Sequence, residues 1–154
     1  MNGLNIKITL KGFDLMQVFL SCVKTKNNVP CKAQDMYTSD LFKKSLAYAL
    51  TLTDSKKIFI LSAKYGVLRL NDEIKPYNQT LNNMTKDEQR HWAYRCYKQS
   101  KALKINFNEK TVFLCGVNYR KYYSQLFKDY EIPLQGVSFG NQLKFYKERL
   151  NDAK

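Results

Sequence analysis

The sequence predicts an α/β fold: a three-layer sandwich with a mostly parallel central sheet flanked by helices. Three observations carry that expectation. Short β-branched and aromatic runs recur at residues 17–21 (QVFLS), 57–62 (KIFILS) and 111–115 (TVFLC), and such runs are read as strands buried on both faces. Segments with helical spacing of apolar residues lie between them, at about 39–53 and 85–103; strands alternating with helices indicate parallel pairing. The chain has 154 residues, enough for one full core, and no internal repeat or low-complexity linker divides it. Residues 1–154 are therefore read as a single α/β domain.

Residues 5–10 (NIKITL) alternate Ile6, Ile8 and Leu10 with Lys7 and Thr9, the pattern of a half-buried strand. Residues 17–21 form a buried strand that stops at Ser21 and Cys22. From Ser39 to about Thr53, Phe42, Leu46, Ala49 and Leu50 share one helical face, with Thr38 or Ser39 as cap. Residues 57–62 form the second buried strand. Residues 63–80 contain Gly66 and Pro76 and keep no period, so one long loop is expected there, and loops of that length tend to be functional.

Thr85 and Glu88 have the spacing of a capping box, opening a helix that runs to about Leu103 with Trp92 and Cys96 inward. Residues 111–115 form the third buried strand, stopped by Gly116. Asn118 is placed to cap a helix on which Tyr119, Tyr122, Tyr123, Leu126 and Phe127 follow at i, i+3, i+4, i+7 and i+8. A short fourth strand is expected at 131–134. A last helix is expected at 141–150, with Leu143, Tyr146 and Leu150 on its apolar face.

The 11 Tyr, 9 Phe and 44% hydrophobic residues are those of a globular protein. No apolar run approaches the roughly 18–20 residues of a membrane span, and residues 1–14 carry no apolar signal-peptide core. The expected location is cytoplasmic, with no membrane partner. Cys22, Cys31, Cys96 and Cys115 fit no C-x-x-C spacing and His91 is the single histidine. A zinc site groups four N or S ligands, so neither metal nor cofactor is expected, and disulfides are disfavoured in that compartment.

Charge is the strongest global signal. The chain has 26 Lys and Arg against 13 Asp and Glu, a net charge of +13. Codon bias toward Lys does not explain so few acids. The excess favours a polyanionic partner, most simply nucleic acid. The cations are spread along the chain, so any patch has to be assembled by folding.

In parallel α/β sheets, ligands bind beyond the carboxyl ends of the strands. Three such ends offer Ser21, Cys22, Lys24 and Lys26; Ser62, Lys64, Tyr65 and Gly66; and Asn118, Tyr119 and Arg120. Hydroxyls, amides and cations without a carboxylate suit a phosphate or nucleotide. The nearest carboxylates in sequence are Asp35, Asp72 and Glu73; Tyr37, Tyr65 and Tyr77 are candidates for stacking on bases. Cys22 has no general base in view, as a nucleophilic thiol requires, and is read as a small side chain packed at a strand end.

Several strings resemble a family of small bacterial and phage domains: S-C-V-K-T-K at 21–26, D-M-Y-T-S-D-L-F-K-K at 35–44, and F-I-L-S-A-K-Y-G-V-L at 59–68. I-K-P-Y-N-Q-T-L at 74–81, V-F-L-C-G-x-x-Y at 112–119 and G-V-S-F-G-N-Q-L at 136–143 complete the set. These domains are similar to the YaaA peroxide-stress superfamily and, more distantly, to the uracil-DNA-glycosylase-like α/β fold. The resemblance covers about 17–148, leaving the strand at 5–10 as an addition.

It implies DNA binding and handling of modified bases, with an N-glycosylase (a hydrolase) as the catalytic form. On that reading Lys24, Lys26 and Arg120 hold phosphates, joined at the strand ends by Ser21, Ser62 and Asn118. Lys64, Tyr65 and Tyr77 line a base pocket. Asp35 or Glu73 stabilises the sugar cation or positions water, or Lys64 attacks the sugar C1′ as an amine. A non-catalytic DNA- or RNA-binding module and an enzyme of small nucleotides or nucleosides are the alternatives.

Overall fold

The structure, a computed structural model, describes residues 16–152; the strand expected at 5–10 lies outside them. It is a mixed α/β fold built on a five-stranded, mostly parallel sheet. β1 (Gln17–Ser21) occupies the centre, flanked by β3 (Ile58–Ser62) and β6 (Thr111–Leu114), both parallel to it. β4 (Gly66–Arg69) closes one edge antiparallel to β3, and β7 (Tyr130–Glu131) the other edge parallel to β6, giving the order β4-β3-β1-β6-β7. The three apolar runs became strands because only a central, doubly covered position removes them from water. Val18, Phe19, Leu20, Ile60, Leu61 and Phe113 are all fully buried or nearly so.

Alternation along β1 puts Phe19 on one face and Val18 and Leu20 on the other. Register sets Phe19 beside Phe59 and Phe113, with ring centroids 5.4 and 5.2 Å away. Tyr123 and Phe127 meet the same ring edge-on at 5.3 and 5.4 Å. α3 (Lys86–Ala102) joins this aromatic cluster through Ser100, whose hydroxyl is 2.6 Å from that of Tyr123. α2 (Asp40–Leu52) packs on β1 and against α5 (Phe139–Asp152), where Tyr48 contacts Phe145 and Tyr146. No helix among the described residues is long and apolar enough to cross a membrane.

The helix starts follow local chemistry. Ser39 caps α2 by accepting from the Phe42 N–H. Thr85 and Glu88 close a reciprocal capping box on α3, relieving orphan donors of its first turn.

Three expectations are corrected. Residues 63–80 are not one loop. Gly66, at φ +77°, reverses the chain from β3 into β4, and β5 (Glu73–Ile74) pairs with β2 (Cys31–Lys32) in a small second sheet beside α1 (Ala33–Met36). A Cβ on Gly66 would run into the side-chain amide of Gln99, so turn conformation and packing both favour glycine. The helix expected from Asn118 is a single turn, α4 (Val117–Arg120), capped by Gly116 and followed by a 3₁₀ turn at Ser124–Leu126. The break still lets Tyr119, Tyr123 and Phe127 bury. The fourth strand is only Tyr130–Glu131, overlapping the expected 131–134 at Glu131 alone.

Candidate functional site

β1 and β6 run parallel and end beside each other, at the same end of the sheet. Gly116 N donates to Ser21 Oγ at 3.2 Å and Cys22 N to Leu61 O at 2.9 Å, tying the three strand ends together. The segment 77–83 crosses in front of them. Between it and residues 22–26 lies a cleft of about 570 Å³. Lys24 and Lys26 form one wall; Asn78, Gln79, Thr80, Asn82 and Asn83 form the other; Cys22 and Tyr119 lie between. A smaller hollow of about 270 Å³ continues from it toward α2 and α5, reaching Ser21, Ser45, Gly116 and Gln142. The two share Cys22, Val23, Asn82 and Tyr119.

A buried hydrogen-bond chain braces the cleft from behind. The Tyr37 and Tyr77 hydroxyls are 2.6 Å apart, and Ser62 Oγ donates to Tyr77 at 2.8 Å while accepting from Tyr65 N at 3.0 Å. Trp92 Nε1 donates to the Ser62 carbonyl at 2.8 Å. Tyr119 accepts from Leu81 N at 3.3 Å and lies 3.4 Å from Thr80 Oγ1, with Cys22 in hydrogen-bonding reach. Burial pushes the Tyr37, Tyr77 and Tyr119 phenols well above their ordinary range, and the nearby Cys22 adds to the effect. They are neutral bracing groups.

Lys26 stands out among the cleft cations. Its ammonium is 4.7 Å from the centroid of the Tyr77 ring, and its backbone bridges to Tyr37. Partial burial lowers its pKa from the ordinary lysine value. Among the described residues no carboxylate pairs with it. A cation held over an aromatic face, without an acid, is free to meet an incoming anion.

The residues expected from the sequence divide into three groups. Ser21, Lys24 and Lys26 line the cleft or its extension, and Asn118 reaches it through a 2.8 Å bond to Asn82 Oδ1. Ser62 and Tyr77 are buried behind the wall as braces. The remainder point elsewhere. The Tyr65 hydroxyl is occupied by both backbone groups of Lys75, at 3.1 and 3.3 Å. Arg120 turns its Nε to the Cys115 carbonyl at 3.3 Å. Lys64 lines a separate depression with His91 and Arg95.

Asp35 and Glu73 are exposed and line neither hollow. Asp35 is on α1 and Glu73 on β5, and both bear on Cys31, whose thiol is pushed up first by burial and then by these two carboxylates. The β2–β5 ladder, with Lys32 opposite Glu73, carries both acids to its own small sheet.

Asn78, Gln79, Asn82 and Asn83 are site residues that the sequence reading does not reach. Their signal is the amide-rich run N-Q-T-L-N-N at 78–83, which begins at the end of the segment 63–80 expected to be a functional loop. Cys22 is 7% exposed, the packed strand-end residue expected, yet its side chain forms part of the cleft floor.

The chain matches a family of unknown function (DUF6884) over residues 18–148. No curated protein and no solved structure matches it significantly.

Proposed function

The chain belongs to the family of unknown function DUF6884, and from that premise and the cleft we propose that it is a nucleic-acid-interacting protein that takes one nucleotide into the space between residues 22–26 and 78–83. The observation that carries this reading is the composition of the cleft. Two lysines face five amide and hydroxyl side chains, and no carboxylate among the described residues joins them. Ammonium groups suit phosphate; Asn and Gln amides each present a donor and an acceptor, as the edge of a base does. The volume lies within the roughly 300–1,000 Å³ of ligand pockets, and the net charge of +13 extends the attraction beyond the cleft.

The finer architecture belongs to the same reading. We take the sheet as the middle layer of a three-layer sandwich of the kind the YaaA-like resemblance implies. Aromatic packing of Tyr123 and Phe127 on Phe19, and of α2 on β1, supports it.

Binding without chemistry is the principal form of the reading, because Asp35 and Glu73 stand outside the cleft. One observation favours a catalytic form, a base N-glycosylase: the partly desolvated, carboxylate-free amine of Lys26 inside it. There the neutral amine attacks the sugar C1′ and the base leaves with the bonding electrons, taking up a proton. The product is a Schiff base with the ring-opened sugar, which water hydrolyses to return the amine.

The test of the polymer reading is affinity against salt. A single-stranded oligonucleotide should give a log–log slope of about −0.7 per neutralised phosphate, and a duplex about −0.9. A flat plot beside tight binding of a nucleoside monophosphate would move the assignment to small-nucleotide chemistry.

A further inference from the structure

The depression that contains Lys64 has no part in the reading above. It measures about 380 Å³ and is lined by Lys64, Gln79, His91, Trp92 and Arg95, with Glu88 as its one acid. Lys64, His91 and Arg95 are exposed. Gln79 lines this depression and the cleft alike, so the two hollows adjoin at that residue.

We propose that this depression is the phosphodiester subsite for the nucleotide next to the one held in the cleft. The inference rests on the nucleotide reading of the cleft and adds the path of the strand: over Gln79, from Lys24 and Lys26 toward Lys64 and Arg95.

The local chemistry fits an anion. Arg95 Nη2 donates to the Ala63 carbonyl at 3.3 Å, which fixes one edge of the guanidinium and leaves its other donors for a phosphate oxygen. Lys64 extends over the Tyr65 ring at 5.3 Å. Glu88 stays anionic and offsets one charge, but Lys64 and Arg95 together outnumber it. Its carboxylate accepts from Thr85 N at 3.0 Å, and that bond holds its carboxyl below the ordinary range. Trp92, with its indole N–H committed to Ser62 O, forms a fixed apolar floor. Lys64 thus acquires a role in holding the strand.

The experiment compares two ligands on one set of variants. Deoxynucleoside monophosphates probe the cleft alone; a labelled single-stranded DNA octamer probes both hollows. Lys64→Ala with Arg95→Ala should leave monophosphate affinity unchanged and flatten the octamer's log–log salt slope by about 0.7 for each phosphate no longer neutralised. Arg95→Lys, which keeps the charge, should restore part of that slope, and Lys43→Ala with Lys147→Ala, on α2 and α5, should change it less.

If the monophosphate binds normally but the octamer slope is the same in the parent and the Lys64/Arg95 variant, the subsite is overturned while the cleft reading stands. An equal loss in the Lys43/Lys147 variant overturns it as well, because the effect is then general charge. If the parent binds neither ligand, the cleft reading fails and takes the subsite with it.

Discussion

The hydroxyls of Tyr37 and Tyr77 lie 2.6 Å apart, joining residues 40 positions distant in the chain. Tyr37 ends the segment that leaves β1, and Tyr77 begins the segment that forms the far wall of the cleft. With Ser62 as the third member, the pair fixes one wall relative to the other from inside the core. The cleft therefore owes its width to groups that line neither hollow.

Tyr77→Phe removes the central oxygen and takes away the partner of the Tyr37 hydroxyl and of the Ser62 O–H donor. The expected cost is about 1–3 kcal/mol, read as a lower urea midpoint at unchanged slope. Tyr37→Phe acts on the same bond, so the double variant should lose less than the sum of the singles. Strict additivity would show that the two phenols are not coupled.

The same phenols give the protein an alkaline limit. Tyrosine ionises near 10 in the unfolded chain, and burial pushes the folded values of Tyr37, Tyr77 and Tyr123 upward. A raised folded pKa contributes stability that is fully present below about pH 10 and is lost as pH climbs through the folded values. Denaturant midpoints should thus hold up to about pH 10 and then fall, and Tyr77→Phe should soften the fall. A midpoint independent of pH in that alkaline range would contradict the buried placement of these rings.

Gly66→Ala should destabilise strongly for two separable reasons. The left-handed conformation costs an L-residue roughly 1–2 kcal/mol, and the new Cβ runs into the Gln99 side-chain amide. Gln99 is itself committed, donating to Tyr65 O at 2.9 Å and accepting from Val67 N at 2.8 Å. Adding Gln99→Ala to Gly66→Ala should relieve the clash and leave the strain. Because Gln99→Ala itself removes those two bonds, the comparison runs against Gln99→Ala alone. If Gly66→Ala costs as much in that background as in the parent, the whole cost lies in the backbone.

What can be read from the sequence follows the strength of each local signal. β1, β3 and β6 are legible because a doubly buried strand has no polar alternation to blur it. α2 and α3 are legible because Ser39, Thr85 and Glu88 are caps as well as breaks in pattern. The one-turn α4 is not, since Tyr119, Tyr123 and Phe127 keep helical spacing across a break after Arg120 that leads into the 3₁₀ turn. At the site, charge points to Lys24, Lys26 and Lys64, and the first two line the cleft. Asn78, Gln79, Asn82 and Asn83 carry no charge and no period. Their convergence depends on the pairing of β5 with β2 and on the anchoring of Tyr77, which no local pattern encodes.

The catalytic form of the proposal is decided by a covalent trap. Borohydride reduces a Schiff base between a lysine and an opened sugar to a stable secondary amine, fixing protein to DNA. Lys26 and Lys64 both reach solvent, but only Lys26 lines the cleft that would hold the sugar, and its lowered pKa leaves more neutral amine near neutral pH. Adduct yield on single-stranded DNA carrying a modified or missing base should vanish in Lys26→Ala and persist in Lys64→Ala. In the parent it should rise with pH below the ordinary lysine range, because deprotonation generates the nucleophile. Adduct that survives Lys26→Ala would move the nucleophile elsewhere. Base release without adduct would exclude amine attack, and oligonucleotide binding with neither would leave the protein a reader of the nucleotide it holds.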